Sequence, residues 1–355
     1  METKFSAHYS SINRGVYNIK KGISISEIEE IVSDPYLEVI SVREPLAKRD
    51  YENLEKHIFS KNNNVLLSKY DYVPDTTSLG FLQYVPSIKR LSISNAIKVT
   101  HSDKLLLLNN LEELSIVDCE AELFEILRII KPDLKVLSVG KSLTKKLNID
   151  FIPRFNKLEY LFLEEHSKNI EEIGKLENLK EIVLRSVSVP NINFLKDLNK
   201  LWSIDIKLGG IKDFSVLEQL PQVKYLELWQ IKGLSDLSFI SKMTGLQNLL
   251  LQSLINVNAL PSFINLPKLR RLSLMNLKGL EDFNALKTAP NLQDFFYTEI
   301  YQQQPEDLIP ALQNPTLKNA YIYFESNKKN TAFKELAESF GKQFSDWPEF
   351  IYDKD

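Results

Sequence analysis

The chain has 355 residues, 43% of them hydrophobic, a net charge of −3 and one cysteine. That balance supplies ample core, excludes an internal disulfide, and gives no basic excess for nucleic acid or an anionic membrane. The N-terminus METKFSAHYS has no apolar h-region, and no apolar run reaches membrane-spanning length, so a cytoplasmic, reducing location is expected.

Residues 1–24 are polar and weakly patterned and are expected to form a loosely held arm; 1–36 serves as N-terminal arm and cap. Ser26 and Glu29 have capping-box spacing ahead of a helix near 26–33, which should stop before Pro35. Leu37, Ile40 and Val42 then follow an LxxLxL pattern. Residues 48–60 predict a helix with Tyr51, Leu54 and Ile58 on one side, and Val65 and Leu67 begin another strand. Residues 37–87 thus make two long, degenerate coils. Terminal repeats are often atypical, because they must face water.

From 88 to 325 the pattern becomes regular. Segments such as Leu269–Leu277, LRRLSLMNL, carry apolar residues at relative positions 1, 4, 6 and 9. The position-4 residues are Leu91, Leu114, Leu137, Leu161, Ile182, Ile204, Leu226, Leu249, Leu272, Phe295 and Ala320, spaced 21 to 25 residues apart. Apolar positions 4 and 6 with a free position between them describe a strand buried on one face. One such strand cannot bury that face alone, but stacked copies can. The return segments beginning at Asn191, Asp213, Asp236 and Asp282 predict short helices or 3₁₀ turns, with Asn193, Ser215, Ser238 and Asn284 as N-caps.

This repeat resembles the leucine-rich repeat family, LxxLxLxx(N/C)xL, and its period and Asp-Leu-Ser-like return look most like internalin-type bacterial repeats. The resemblance implies an α/β solenoid: a leucine-rich repeat horseshoe with a parallel β-sheet on the concave face, short helices or 3₁₀ turns on the convex face, and helical caps at both ends. The solenoid is expected over 37–325. The family's asparagine at position 9 is mostly missing. Those positions hold Ala96, Cys119, Ser142, His166, Val187, Gly209, Ile231, Leu254, Leu277, Ile300 and Glu325. The turn's backbone groups must then find other backbone or water.

Residues 326–355 form the expected C-terminal helical cap and tail. Asn327–Asn330 is a turn signal, Thr331 a cap, and Phe333, Leu336, Ala337 and Phe340 an apolar stripe that Gly341 ends. Trp347, Phe350 and Ile351 of the acidic, aromatic tail are expected to dock on that cap; a tail that instead engages a partner is the alternative.

Sequence signs of catalysis are absent. Gly140-Lys141-Ser142 lacks the earlier glycine of a phosphate loop, because that position is Lys135. His8, His57, His101 and His166 fall in different segments with no metal spacing. Cys119 occupies an inward position, as a small core residue would. No enzyme activity, cofactor or metal is expected.

Function should then reside on outward strand positions 3, 5 and 7. Stacked parallel strands place equivalent residues about 4.8 Å apart, so these positions form columns. From Tyr160 onward the columns gain aromatics: Tyr160, Phe162, Tyr225, Trp229, Phe296, Tyr321 and Tyr323. Glu164, Arg185, Asp205, Lys207, Glu227 and Arg271 are interleaved with them. Tyr, Trp and Arg dominate interface energetics, and these thirteen residues are the expected contacts for a partner protein. Outward aromatics also arise from cross-strand packing alone, and Trp202 at position 2 is read that way. The leading expectation is a non-enzymatic protein-binding module of a bacterial cell, monomeric when free, in the form of an inhibitor or immunity protein for a protein effector. A regulatory scaffold for an enzyme is the alternative.

Overall fold

The computed structural model describes residues 9–70, 76–343 and 349–353, and it divides into two compact units, 1–176 and 177–355. In the first unit the strands are β1 (Tyr9–Asn13), β2 (Val16–Ile19), β3 (Val39–Val42), β4 (Leu66–Tyr70), β5 (Thr76–Ser78), β6 (Arg90–Ala96), β7 (Lys98–Thr100), β8 (Glu113–Cys119), β9 (Val136–Val139) and β10 (Tyr160–Glu164). Its main sheet runs β1-β2-β3-β4-β6-β8-β9-β10. All pairs from β2 onward are parallel. In the second unit the strands are β11 (Glu181–Arg185), β12 (Ser188–Asn191), β13 (Ser203–Lys207), β14 (Gly210–Asp213), β15 (Tyr225–Trp229), β16 (Asn248–Gln252), β17 (Arg271–Met275), β18 (Asp294–Ile300) and β19 (Asn319–Phe324). There the order is β11-β13-β15-β16-β17-β18-β19, again parallel. β5 pairs with β7, and β12 with β14, in separate two-stranded sheets.

The register follows the repeat. Ile182, Ile204, Leu226, Leu249, Leu272, Phe295 and Ala320 are matched strand to strand, and each is at most 1% exposed. A strand with one apolar face becomes stable once like neighbours cover that face, which is why a period of one coil dictates the sheet. The coils return through 3₁₀ turns at Asn193–Leu195, Ser215–Gln219, Ser238–Lys242 and Asn284–Thr288. The capping residue is not the one expected. The side chains of Asn191, Asp213, Asp236 and Asp282 accept the N–H two residues on, from Asn193, Ser215, Ser238 and Asn284. This is the local turn that Asp and Asn favour, and it leaves Asn193, Ser215, Ser238 and Asn284 inside the 3₁₀ turn. The bonded Ser215 amide holds the Asp213 carboxyl below its ordinary pKa.

Where the family uses asparagine, the second unit uses backbone, and in the first unit His166 bonds the Leu147 N–H and the Gly140 carbonyl. Position 9 is core: Val187, Ile231, Leu254, Leu277 and Ile300 are at most 4% exposed. Position 8 turns left-handed instead, with φ between +51° and +65° at Asn95, Asp118, Glu165, Ser186, Leu208, Gln230, Ser253, Asn276 and Glu299. In the second unit this aims each position-8 N–H at the position-7 carbonyl of the next coil: Ser186 to Lys207, Leu208 to Trp229, Gln230 to Gln252, Ser253 to Met275 and Asn276 to Thr298, at 2.7–3.1 Å. Leu208 is the costly member, since the left-handed region crowds Cβ against the following carbonyl. Leu208→Asn, which tolerates that region, is expected to raise stability by about 1 kcal/mol. A thermal melt that shows no rise would remove the strain from the account.

Both ends depart from the sequence expectations. The expected loose arm is, over residues 9–19, the β1–β2 hairpin, and β2 pairs in parallel with β3. Helix α1 (Ile25–Val32) is capped by Ser24 with Glu27, two residues before the expected box, and α2 (Lys48–Leu54) runs into a wider turn at Glu55–Phe59. Two single-turn helices follow, α3 (Ala121–Phe124) and α4 (Ile309–Leu312). Helix α5 (Asn327–Ser339) starts at Ser326, so the Asn327–Asn330 segment is its first turn and not a loop. Phe333 and Ala337 bury against the last coil, with the Phe333 ring 6.0 Å from Phe324. Gln343 then returns to pair with Asn319 and covers the free edge of β19.

Candidate protein-binding surface

In the second unit, β11, β13 and β15 place Arg185, Lys207 and Trp229 in one row and Asp205 beside Glu227 in the next. Lys207 Nζ donates to Asp205 Oδ2 at 2.8 Å and to Glu227 Oε1 at 3.1 Å. Glu227 Oε2 accepts the Tyr225 hydroxyl at 2.6 Å. Lys207 Nζ and the Arg185 guanidinium lie 5.7 and 5.9 Å from the centre of the Trp229 ring, within cation–π range. Two carboxylates, two cations, one phenol and one indole therefore form a single contiguous cluster.

The cluster is drier than an outward face suggests. Asp205 and Glu227 are each 9% exposed. Burial pushes the Asp205 carboxyl up to about 6, against the pull of Lys207 and with the help of the neighbouring Glu227. Its Oδ1 has no hydrogen-bond partner among the described residues. Burial draws the Lys207 ammonium down, but Asp205 and Glu227 outweigh it and hold the pKa above its ordinary value. The Tyr225 hydroxyl is raised by burial and by its bond to Glu227. A carboxyl whose folded pKa exceeds its unfolded value costs stability once pH rises above the unfolded pKa. We expect Asp205→Asn, which keeps the shape without the charge, to gain about 1–2 kcal/mol at pH 7.5. The gain should shrink as pH falls through the folded value and disappear only below the unfolded pKa of about 3.9, where both states are protonated. Urea unfolding above and below this range checks it, and an effect independent of pH would count against it.

Three coils along the same column, roughly 14 Å away, Phe296 stacks on Tyr321 with centroids 5.1 Å apart and planes 6° from parallel. Tyr323 on β19 is 45% exposed. Arg271, expected as an open contact, is not one. It is 5% exposed, paired with Asp294 at 3.1 Å, and covered by the Phe350 ring with its centre 5.0 Å away. In the first unit, Tyr160, Phe162 and Glu164 share the outward side of β10 and are half-buried, and Glu164 accepts the Lys141 N–H at 3.2 Å.

The tail explains the Arg271 result. Trp347 lies outside the described residues, and Ile351 is 78% exposed. Phe350 and Tyr352 do not dock on the cap; they lie along the strand-entry edge of the second unit. Phe350 sits 4.9 Å from the Arg270 guanidinium, and Tyr352 packs edge-on against Trp202 at 5.1 Å. A cationic and aromatic edge draws an acidic, aromatic segment more strongly than a helical cap does. Sequence reasoning missed Lys224, Gln247, Asn248 and Arg270, all contacts of this segment. The available signal was the position-2 column: Lys180, Trp202, Lys224, Gln247 and Arg270 oppose an acidic C-terminus.

Cys119 is fully buried and its thiol is pushed up to about 12 by burial. No group of acidic, histidine or cysteine side chains that could hold a metal ion occurs among the described residues. No helix there is long and apolar enough to cross a membrane.

Parallel coils of 21 to 25 residues, one strand each, with 3₁₀ returns and a leucine-lined interior, define a leucine-rich repeat α/β solenoid. Among solved structures, the chain is similar to an internalin from Listeria monocytogenes (16% identity, 90% of this chain and 85% of that one, TM-score 0.47). It is also similar to a leucine-rich repeat protein of Leptospira interrogans (17%, 85% and 88%, 0.45) and to TLR13 in a complex with a single-stranded RNA (15%, 90% and 60%, 0.46). No protein-family model and no curated protein matches the chain.

Proposed function

We propose that this chain is a non-enzymatic protein-binding module that takes a partner protein on the solvent face of its second-unit sheet. The observation that carries the reading is Asp205. It is a nearly buried carboxylate, one oxygen unbonded, kept at a cost to stability inside a Trp–Tyr–Arg–Lys cluster. Among the described residues nothing meets Oδ1, whereas a partner donor that reached it would gain a charge-assisted bond in a desolvated site. Trp229 and Arg185 supply the hot-spot chemistry, and Phe296, Tyr321 and Tyr323 supply a second anchor about 14 Å along the column. That reach suits a protein surface better than a small ligand. The mixed charge disfavours nucleic acid and anionic membranes.

In its specific form the reading is an inhibitor or immunity protein that neutralises a protein effector within a reducing, cytoplasmic compartment of a bacterium, with the free chain a monomer. A paired, desolvated cluster favours slow release, as an inhibitor requires. A regulatory scaffold for an enzyme would use the same face with faster exchange. Affinity purification of the tagged chain from its native cells is expected to recover a protein in stoichiometric amount. Trp229→Ala combined with Phe296→Ala should abolish that recovery while the variant still unfolds in one cooperative transition. Recovery of nothing, or undiminished recovery by the double variant, would end the proposal. Residence times of minutes or of seconds would then separate inhibitor from scaffold.

A further inference from the structure

The chain's own tail shows what a second region of the unit recognises. Residues 349–353 run along the strand-entry edge, and the contacts alternate ring with charge. Phe350 lies against the guanidinium groups of Arg270 and Arg271, and its ring centre is 4.7 Å from that of Tyr352. Tyr352 abuts Trp202, and its hydroxyl accepts from Asn248 Nδ2 at 3.2 Å. The backbone is held at Ile351 and at Asp353. Arg270 donates to the Ile351 carbonyl at 2.9 Å, Gln247 Oε1 accepts the Asp353 N–H at 3.0 Å, and Lys224 Nζ donates to the Asp353 carbonyl at 2.8 Å. Arg270 also pairs with the Asp353 carboxylate at 3.1 Å. Tyr352 and Asp353 also line a cavity of about 530 Å³ together with Lys180, Lys200 and Lys224.

We infer that this edge is a docking groove for an extended peptide that carries two aromatic side chains and a following carboxylate, and that residues 349–353 hold it in cis as a displaceable occupant. Main-chain bonds at three points fix an extended strand without reading its sequence, while Trp202 and the arginines select rings and Arg270 also selects the following acid. The occupant is also easily released: Ile351 is largely exposed, and the Arg270–Asp353 pair is open to solvent, so salt weakens it. The groove and the Trp229 cluster use different residues, so either can fail while the other stands.

The test uses a fluorescent peptide with the sequence of residues 349–355 and the full-length chain. Wild-type protein should bind it weakly. Phe350→Ala with Tyr352→Ala, which empties the groove, should bind it about tenfold more tightly, the gain expected when a ring and a cation–π contact no longer compete. Adding Trp202→Ala should reverse that gain, and a peptide with both aromatics changed to alanine should not bind. Equal affinity for wild-type and double variant would overturn the inference, as would a wild-type chain that runs as a tail-exchanged dimer in light scattering. Should the double variant unfold, hydrogen exchange on wild-type protein saturated with peptide decides. Faster exchange at the Asp353 amide supports displacement, and unchanged exchange refutes it.

Discussion

Replacing Gly245 with alanine is expected to lower the unfolding free energy by about 3 kcal/mol or more. The residue sits where two coils touch through main chain. A Cβ there would lie 1.8 Å from the Pro221 carbonyl oxygen, 2.9 Å from its carbon and 3.1 Å from the Val223 oxygen. Backbone in the turns that lead into two stacked strands cannot swing aside as a side-chain tip can, so the coil must separate from its neighbour. With native stabilities of about 5–15 kcal/mol, this is a large share. Gly233 provides the contrast. An added Cβ there meets nothing within 4 Å, but φ is +79°, and alanine should cost only about 1 kcal/mol, the ordinary left-handed penalty. Urea titrations should show Gly245→Ala with much the lower midpoint at unchanged slope. The reverse ranking would mean that the close approach is not a constraint.

His166→Leu should destabilise the first unit by about 2–5 kcal/mol, because two buried backbone groups lose their partners together. The imidazole is 1% exposed and edge-on to Phe124 at 6.1 Å. The Leu147 N–H donates to Nδ1 at 3.1 Å, which leaves Nε2 protonated and donating to the Gly140 carbonyl at 3.1 Å. A second ring proton would have to displace the Leu147 amide. Burial lowers the pKa first, and the Gly140 bond opposes it only in part. A lowered folded pKa means the unfolded chain binds the proton first. Stability is therefore complete above the unfolded value near 6.5 and is lost as pH falls from there towards the folded pKa. The leucine variant should lack that acid-side decline. Unfolding curves at pH 7.5 and 5.5 for both proteins check this, and parallel pH profiles would refute the assignment.

The fold was written in position 4. Leu226, Leu249 and Leu272 recur at one coil's spacing, so strand, register and buried face follow before any tertiary fact is known. The site was legible only as columns. Trp229, Lys207 and Arg185 do meet, since parallel stacking brings equal positions together. That Asp205 would be nearly dry was not legible. Alternation assigns a side chain to a face, and burial on that face depends on how Lys207, Glu227 and Tyr225 close over it. The burial of Arg271 escaped for another reason: its cover, Phe350, lies 79 residues away in sequence, and no periodicity connects the two. The hairpin β1–β2 was missed although Arg14-Gly15 stands between short alternating runs, a turn signal outweighed by the polarity of its surroundings.

The left-handed ladder at position 8 frees most of the position-9 column from architectural duty, His166 excepted. Main-chain atoms that every amino acid but proline possesses stitch adjacent loops together, so most codon changes leave the seam intact. Selection can then fill much of that inner column with whatever grease suits each layer, from Val187 to Leu277, while Gly209 stays bare because a Cβ there would lie 2.3 Å from the Val187 carbonyl oxygen.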